Sequence, residues 1–241
     1  MEFKRPKKSI YPQVYKTFTV TLKGSNKEEE FVVQDMTEEF FDDAADILAD
    51  NHEKGAVFHI AAGTLNDEVG RKYVKGKLLN AFREKVSLIC VNKATQEIVG
   101  LNCLYVRSRS EFLDPLVTDN ENYCQFKTAL NYMNGKSNIM NHYNVDQVLF
   151  AAGLCVCDQF RHLRFAQRIL EARAPLLEAI GLEVTSAIFS TEAAQKAATS
   201  AGYKELYSMT YEDLAAVFPL MNFSQFYGGR SRVLALKVCA N

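Results

Sequence analysis

A polar turn that follows an apolar run carries the residue types with the clearest chemical potential. Residues 148–152 are continuously apolar and predict a strand buried on both faces. Asp158 interrupts the run, and Arg161, His162 and Arg164 then stand where the next helix should begin. These cations could simply solvate the helix start, but positive charge at a helix N-terminus is unfavourable unless an anion balances it. The turn therefore predicts a site for a phosphate-bearing ligand beside a buried sheet.

The composition is that of an ordinary globular protein. Of 241 residues, 48% are hydrophobic and 24% are charged, and the formal net charge is −1, so bulk attraction to nucleic acid is not expected. No apolar run approaches the roughly 20 residues of a spanning helix, and no apolar segment follows the basic first residues. We expect a cytoplasmic protein without a membrane or nucleic-acid partner.

The basic cluster near the N-terminus consists of Lys4, Arg5, Lys7 and Lys8. It could contact an acidic partner or a lipid head group, but a solvated, disordered tail is the favoured interpretation. The six cysteines are Cys90, Cys103, Cys124, Cys155, Cys157 and Cys239. They are scattered, lie mostly in apolar runs and form no C-x-x-C pair, so we predict buried reduced thiols and no metal site.

Hydrophobic periodicity predicts the strands and helices that would position the turn. Strands are predicted over residues 31–35, 86–91, 98–106, 147–156, 184–189, 203–211 and 233–238. A first helix is predicted to end near residue 51, and further helices over residues 67–84, 123–134, 138–143, 163–180 and 191–200. This order predicts an α/β domain with a mixed sheet. In open sheets, ligands bind beyond the carboxyl ends of strands, which is where the turn lies.

Four blocks of sequence carry a resemblance to a known family. They are QDMTEEFFDDAADILADNHEKG (34–55), NIMNHYNVDQVLFAAGLCV (138–156), FRHLRFAQRIL (160–170) and ATSAGYKEL (198–206). In order and spacing they resemble the insect arylalkylamine N-acetyltransferases of the GNAT superfamily. The resemblance implies the GNAT acyl-CoA N-acyltransferase fold, an α/β fold whose central mixed, mostly antiparallel sheet has helices on both faces. It also implies an N-terminal extension over 1–28 and a single acetyltransferase domain over 29–241.

The third block matches the cofactor motif of that superfamily, which is Arg or Gln, two residues, Gly, one residue, then Gly or Ala. The matching residues are Arg161, His162, Leu163, Arg164, Phe165 and Ala166. Arg164 stands where the family has a glycine that lets backbone amides approach the pyrophosphate of coenzyme A. We expect its side chain to point away, to narrow the cradle or to reach a phosphate oxygen directly.

The strand before the turn is implied to hold the pantetheine arm of coenzyme A. The matching residues are Leu154, Cys155 and Val156. Their backbone N–H groups would pair with the cofactor, and one of them would polarise the thioester carbonyl. The resemblance therefore implies acetyl-CoA as a co-substrate and no metal. It also implies a monomer, since members of the family are mostly monomeric.

Glu53 is the general base that the resemblance implies, acting through water. A free alkylamine has a pKa near ~10.4, so only on the order of one molecule in a thousand is an unprotonated nucleophile at neutral pH. The family has proline after this glutamate, whereas Lys54 follows it here and would weaken Glu53 as a base. His52 is a second candidate by its intrinsic pKa. From the residues alone, Glu53 is equally compatible with a solvated loop.

The resemblance implies an enzyme that transfers an acetyl group to the primary amine of a small arylalkylamine or related amine, by direct attack in a ternary complex. Two alternatives stay open: an acyl-CoA-binding module with little or no turnover, and an aliphatic amine or polyamine acetyltransferase. Aromatic residues that could wall a pocket are Phe58, Phe112, Tyr123, Phe126, Tyr132, Phe223 and Phe226, although most are expected in the core. Carboxylates that could bind a polyamine are Asp114, Asp119 and Glu121.

Overall fold

Eight strands form one mixed sheet in the computed structural model, which describes residues 3–22, 27–109 and 119–238. The strands are β1 (Val14–Thr21), β2 (Glu28–Asp35), β3 (Leu88–Asn92), β4 (Ile98–Ser108), β5 (Gln147–Val156), β6 (Val184–Phe189), β7 (Lys204–Thr210) and β8 (Arg230–Lys237). Their order is β1-β2-β3-β4-β5-β6-β8-β7. Neighbouring strands are antiparallel except β5 and β6, which are parallel. The predicted α/β fold with a mixed, mostly antiparallel sheet is confirmed.

Nine α-helices cover the two faces of the sheet within the described ranges. They are α1 (Phe41–Gly55), α2 (Val57–Ala62), α3 (Glu68–Phe82), α4 (Glu121–Ser137), α5 (Ile139–Tyr143), α6 (Phe165–Glu171), α7 (Arg173–Ile180), α8 (Glu192–Ser200) and α9 (Tyr211–Val217). Side-chain caps explain where two of these helices begin. The Asp67 side chain accepts from the Gly70 N–H at the start of α3, and the Asn120 side chain accepts from the Tyr123 N–H at the start of α4. Gly181, with φ +74°, ends α7 in the left-handed conformation that glycine tolerates.

The core is divided between the two faces of the sheet. On one face, α6 and α7 bury Phe165, Ile169 and Leu176 against the sheet. On the other face, α1 and α3 bury residues such as Leu48 and Phe82. A further cluster joins α2, α4 and α9 beside this second face. The two layers hold β5 and β6 in the middle of the molecule, where the predicted turn follows β5.

The segment before residue 29 packs against the domain, which corrects the expectation of a solvated, disordered tail. β1 pairs with β2 along its length, so the sheet begins before the predicted boundary. Arg5 donates to Asp35 at 2.7 Å and to the Tyr15 hydroxyl at 2.8 Å. Asp35 is fully buried, and such a carboxylate needs a partner of this kind. Of the basic cluster, Lys4, Lys7 and Lys8 are exposed.

Other differences from the predicted elements are small. The helix predicted over 163–180 is divided into α6 and α7 at Ala172, and α2 and α9 were not predicted. Five cysteines are free thiols, of which Cys90, Cys103 and Cys155 are buried while Cys124 and Cys157 are half-buried. Cys239 lies outside the described residues.

Candidate active site

β5 and β6 separate soon after they meet. They pair only at Leu149 with Thr185 and at Phe150 with Ser186, although β5 continues to Val156 and β6 to Phe189. Within the described strands, nothing pairs with the β6-facing edge of β5 beyond Phe150. Backbone polar groups on such an edge need partners, and an extended ligand can supply them as an added strand would. We call this opening the wedge.

A β-bulge shapes β5 beside the wedge. Cys103 of β4 pairs with Gly153 and Leu104 pairs with Ala151, so Ala152 is an extra residue in β5. Bulges are frequent next to active sites because they re-aim the backbone. A Cβ added at Gly153 would overlap the Nε2 atom of His52 and lie 2.9 Å from Leu48. Glycine is therefore what lets α1 approach the bulged strand.

Two residues of the turn after β5 have a left-handed backbone conformation. His162 has φ +69° and Arg164 has φ +62°, both in the left-handed region that favours glycine. Arg164 occupies the position just before α6, so its backbone serves as the motif glycine would. Arg161 pairs with Asp158 at 2.8 Å. The arginine thus preserves the turn at the cost of local backbone strain.

A groove beside the wedge gathers nearly all the predicted cofactor residues. Those that line it are Leu154, Cys155, Val156, Arg161, His162, Arg164, Phe165 and Ala166. Leu163 instead packs against the core. The opposite wall of the groove comes from α8, including Thr191 and Ala194. Cationic side chains, left-handed backbone turns and a free strand edge suit the pyrophosphate and pantetheine of coenzyme A, so the residues present fit that co-substrate.

A cavity of about 180 Å³ continues from the groove through the wedge. Groove and cavity share Asn51, Leu154, Thr191 and Ala194. The rings that wall the cavity belong to His52, Phe58, His59, Tyr105, Phe126, Phe150 and Phe189. Among the described lining residues there is no aspartate or glutamate. The cationic groove on one face of the sheet therefore leads to this cavity on the other face, which we call the aromatic chamber.

Two of the predicted pocket aromatics, Phe58 and Phe126, line the cavity. The others within the described ranges pack in the surrounding clusters, as expected for core residues: Tyr123, Tyr132, Phe223 and Phe226. The predicted carboxylates Asp119 and Glu121 do not line the cavity. Phe112 and Asp114 lie outside the described residues.

Two stacked histidines form one wall of the cavity. The His52 and His59 rings are 4.4 Å apart and nearly parallel, and His59 stacks on Phe126 at 4.0 Å. His59 Nδ1 shares a hydrogen bond with the Thr64 hydroxyl at 2.6 Å, whereas His52 Nδ1 is buried without a partner in the described chain. Burial lowers the pKa of His52 to about 4 and lowers that of His59, so both imidazoles are neutral at pH 7.

Glu53, the predicted base, is placed apart from the cofactor residues. It is exposed, and its Oε2 atom lies 2.9 Å from the Arg71 guanidinium, which also contacts Asp50 at 2.7 Å. Its neighbour His52 faces the cavity instead. Of these two residues of α1, only His52 is among the described residues that line the cavity. The role of Glu53 stays a prediction.

Sequence reasoning missed several polar residues of the cavity, among them His59 and Arg173. Arg173 is fully buried; its Nε donates to Asn102 at 2.7 Å and its Nη1 to the Thr185 hydroxyl at 3.1 Å. No motif marks either residue, because the chemistry of each arises from burial and long-range contacts. In the sequence, each of them is visible only as a polar residue within an apolar helical pattern.

These features together define a GNAT-fold N-acyltransferase: a mixed sheet that splays at its one parallel pair, a bulge beside the opening and a cationic turn after the strand. Within the described ranges no helix is long and apolar enough to cross a membrane. Across the same residues, no three His, Cys, Asp or Glu side chains are grouped so that they could hold a metal ion.

Comparison with solved structures gives the family. The protein classed as arylalkylamine N-acetyltransferase 7 of the yellow fever mosquito Aedes aegypti is 30% identical, covers 99% of this chain and 100% of its own, and superposes with a TM-score of 0.93. The chain belongs to the insect arylalkylamine N-acetyltransferase family and is an acyltransferase. No family model and no curated protein matches the sequence.

More distant structures share the fold. Arylalkylamine N-acetyltransferase 2 of Aedes aegypti is 15% identical over 87% of this chain and 99% of its own, with a TM-score of 0.69. The Drosophila melanogaster polyamine N-acetyltransferase that forms N-acetylagmatine is 13% identical over 86% of this chain and 100% of its own, with a TM-score of 0.72.

Proposed function

We propose that the protein transfers an acetyl group from acetyl-CoA to the primary amine of a small arylalkylamine. The observation that carries this proposal is the single passage from the cationic groove through the wedge into a chamber walled by aromatic rings. Rings such as Phe126 and Phe58 offer stacking and edge contacts to an aromatic substrate. Family membership supports the same activity.

An aliphatic polyamine suits this chamber less well. A substrate with several positive charges would need carboxylates to replace its lost hydration. The described lining has none, and it includes the buried guanidinium of Arg173. The chamber therefore favours a substrate with one amine and an aromatic body.

Coenzyme A binding is assigned to the groove. Arg161, Arg164 and the backbone N–H groups of the turn after β5 would hold the pyrophosphate, and the free edge of β5 at 154–156 would hold the pantetheine arm. Acetyl-CoA supplies the thioester whose carbonyl carbon the amine attacks. Backbone N–H groups of β5 that face the wedge would donate to the developing oxyanion and so stabilise the tetrahedral intermediate.

The proton that leaves the amine has two candidate acceptors. Glu53 could take it only through water, because its carboxylate lies outside the described lining and pairs with Arg71. His52 is neutral and lines the chamber directly. A neutral imidazole can accept the proton that the nitrogen of the zwitterionic tetrahedral intermediate must lose to give the neutral amide.

The test is thiol release from acetyl-CoA with a panel of amines. We expect release with phenethylamine- and indolethylamine-type substrates and at least about tenfold lower kcat/KM with agmatine or spermidine. A matched calorimetric titration with coenzyme A separates the alternatives. Binding without release from any amine would identify a binding module, and faster release with polyamines would overturn the assignment of substrate class.

A further inference from the structure

Four phenylalanine rings meet beside the cofactor turn, residues 161–164. Phe160 directly precedes this turn and Phe165 directly follows it, and their ring centroids lie 5.8 Å apart. Phe31 of β2 contacts both rings edge-on, with centroid distances of 4.9 Å to Phe165 and 6.3 Å to Phe160. Phe18 of β1 completes the group, 5.6 Å from Phe165 and 6.0 Å from Phe31. We call these four rings the phenylalanine cluster.

The phenylalanine cluster joins the cofactor groove to the core. All four side chains are buried, and Phe18 is the most exposed of them at 8%. Phe160 and Phe165 are among the described residues that line the groove, whereas Phe18 and Phe31 are not. Rings in edge-on or offset contact attract one another more than their burial alone explains. The two rings at the ends of the turn are therefore held in place by two rings from the first two strands.

The turn between Phe160 and Phe165 has an unfavourable backbone conformation. His162 has φ +69° and Arg164 has φ +62°, and the left-handed region costs free energy for residues other than glycine. No side-chain cap hydrogen bond at Arg164 supports this conformation within the described chain. Strained residues of this kind persist only where the surrounding structure fixes them. The phenylalanine cluster fixes the turn at both of its ends.

β1 also contacts α6, the helix into which the turn leads, through charged side chains. Lys16 of β1 pairs with Glu171 of α6 at 3.0 Å. The guanidinium carbon of Arg168 lies 4.7 Å from the centroid of the Phe18 ring, within the range of a cation–π contact. β1 is itself held by antiparallel pairing with β2 along its length. The N-terminal strand thus contacts both the helix and the ring that follows the turn.

We propose that Phe18 is a positioning residue of the coenzyme A site, so that β1 belongs to this site although it precedes the domain predicted over 29–241. Phe18 acts through Phe165 and Phe31, which hold the turn in its left-handed conformation. In that conformation the backbone N–H groups of the turn can face the pyrophosphate. The inference rests on the coenzyme A site of the proposed function and adds to it a residue that is distant in sequence.

Calorimetric titration with coenzyme A tests the proposal without turnover. Phe18→Leu keeps an apolar side chain but removes the ring, so the turn can relax out of its left-handed conformation. The dissociation constant for coenzyme A should rise about tenfold, because the population of the binding-competent conformation falls by about that factor.

Phe82→Leu is the matched control for this titration. Phe82 is fully buried and its ring lies 5.4 Å from that of Phe41, but both belong to the core on the other face of the sheet. Neither is among the described residues that line the groove. Phe82→Leu should therefore leave the dissociation constant for coenzyme A unchanged.

Arg164→Gly supplies a second background for the same comparison. Glycine tolerates the left-handed conformation, so the turn no longer depends on the phenylalanine cluster at this position. Phe18→Leu should therefore weaken coenzyme A binding by less than about threefold in this background. A loss of the same size in both backgrounds would overturn the proposal. An unchanged dissociation constant in Phe18→Leu, or an equal loss in Phe82→Leu, would overturn it as well.

Melting temperatures without ligand give an independent readout. Arg164→Gly should raise the melting temperature of the wild type by about 2–4 °C. It should raise that of Phe18→Leu by less than half as much, because the turn has already relaxed in that variant. Equal gains in the two proteins would overturn the proposal.

Turnover separates positioning from catalysis. Phe18→Leu should raise the KM for acetyl-CoA and leave kcat near the wild-type value, since the bound turn is the same in both proteins. A fall in kcat with an unchanged KM would overturn the proposal. If the wild type bound no coenzyme A, the proposed function would be contradicted, and the melting temperatures would still decide whether Phe18 holds the turn.

Discussion

The imidazole of His52 lies against Gly153, where a Cβ would overlap its Nε2 atom. This contact joins helix α1 to the bulge of β5 beside the chamber. It places a neutral ring beside the strand that we assign to the thioester. The close approach of α1 to β5 therefore depends on the absence of a side chain at Gly153.

Gly153→Val should abolish acetyl transfer and lower the free energy of unfolding by about 1–3 kcal/mol, because the added methyls overlap His52 and Leu48. Thermal unfolding and thiol release measure the two effects. Gly76→Ala is the control, since a Cβ at this helical position meets nothing within 4 Å. It should leave turnover unchanged and stabilise the helix by up to about 1 kcal/mol. Acetyl transfer by Gly153→Val at the wild-type rate would contradict the overlap of the added methyl groups with His52 and Leu48.

Comparing His52→Gln with Glu53→Gln decides the proton acceptor. If the imidazole accepts the proton, His52→Gln should lower kcat by about 10²–10⁴-fold, whereas Glu53→Gln should lower it by less than tenfold. Steady-state rates at several pH values measure both. A large loss confined to Glu53→Gln would assign the role to the carboxylate, as the family resemblance implies, and would require water between it and the chamber.

Stability should fall as the pH drops from 6.5 towards 4. The pKa of His52 is near 4 when folded, against about 6.5 when unfolded, so the unfolded chain binds the proton first. The stabilisation is complete above pH 6.5 and is lost as the pH falls to the folded value, by up to about 3 kcal/mol. His59 acts in the same direction. Urea unfolding at several pH values gives the free energy of unfolding as a function of pH. Its slope between pH 4 and 6.5 should be shallower for His52→Gln than for His142→Gln, a control at an exposed histidine. Identical slopes would contradict the buried neutral imidazole.

Arg164→Gly should relieve backbone strain at the cofactor turn. Arg164 has φ +62°, so glycine there should raise the free energy of unfolding by about 1 kcal/mol. The affinity for coenzyme A should change by no more than about 2 kcal/mol, the scale of one charge-assisted hydrogen bond. Calorimetry and thermal unfolding check the two values. A much larger loss of affinity would make Arg164 a principal phosphate anchor.

The sequence predicted the elements whose patterns are local. The continuous apolar run at 148–152 predicted β5, and β6 was also predicted as a strand, both with the bounds that the structure shows. β1 was missed because it is an edge strand with a single buried residue, Phe18. Arg5 was assigned to a tail because its partner, Asp35, lies 30 residues away along the chain.

The cofactor groove could be predicted because its residues are close together in the sequence, in β5 and the turn that follows. The chamber could not, since its walls come from several helices and strands, among them α1, α2, α4, α7, β4, β5 and β6. Only their packing brings His52, His59 and Arg173 together. Their chemistry depends on burial, which a residue type alone does not reveal. Glu53 was predicted as a site residue from the family resemblance, but its carboxylate pairs with Arg71 and does not line the chamber, whereas its neighbour His52 does.

A crystal structure with bound coenzyme A tests the central claim most directly. We expect the pantetheine arm between β5 and β6, hydrogen-bonded to backbone groups of Leu154–Val156, with the pyrophosphate at the turn of Arg161–Ala166. The free thiol should then point through the wedge towards His52. Coenzyme A bound elsewhere, with the β6-facing edge of β5 left unpaired, would contradict the account.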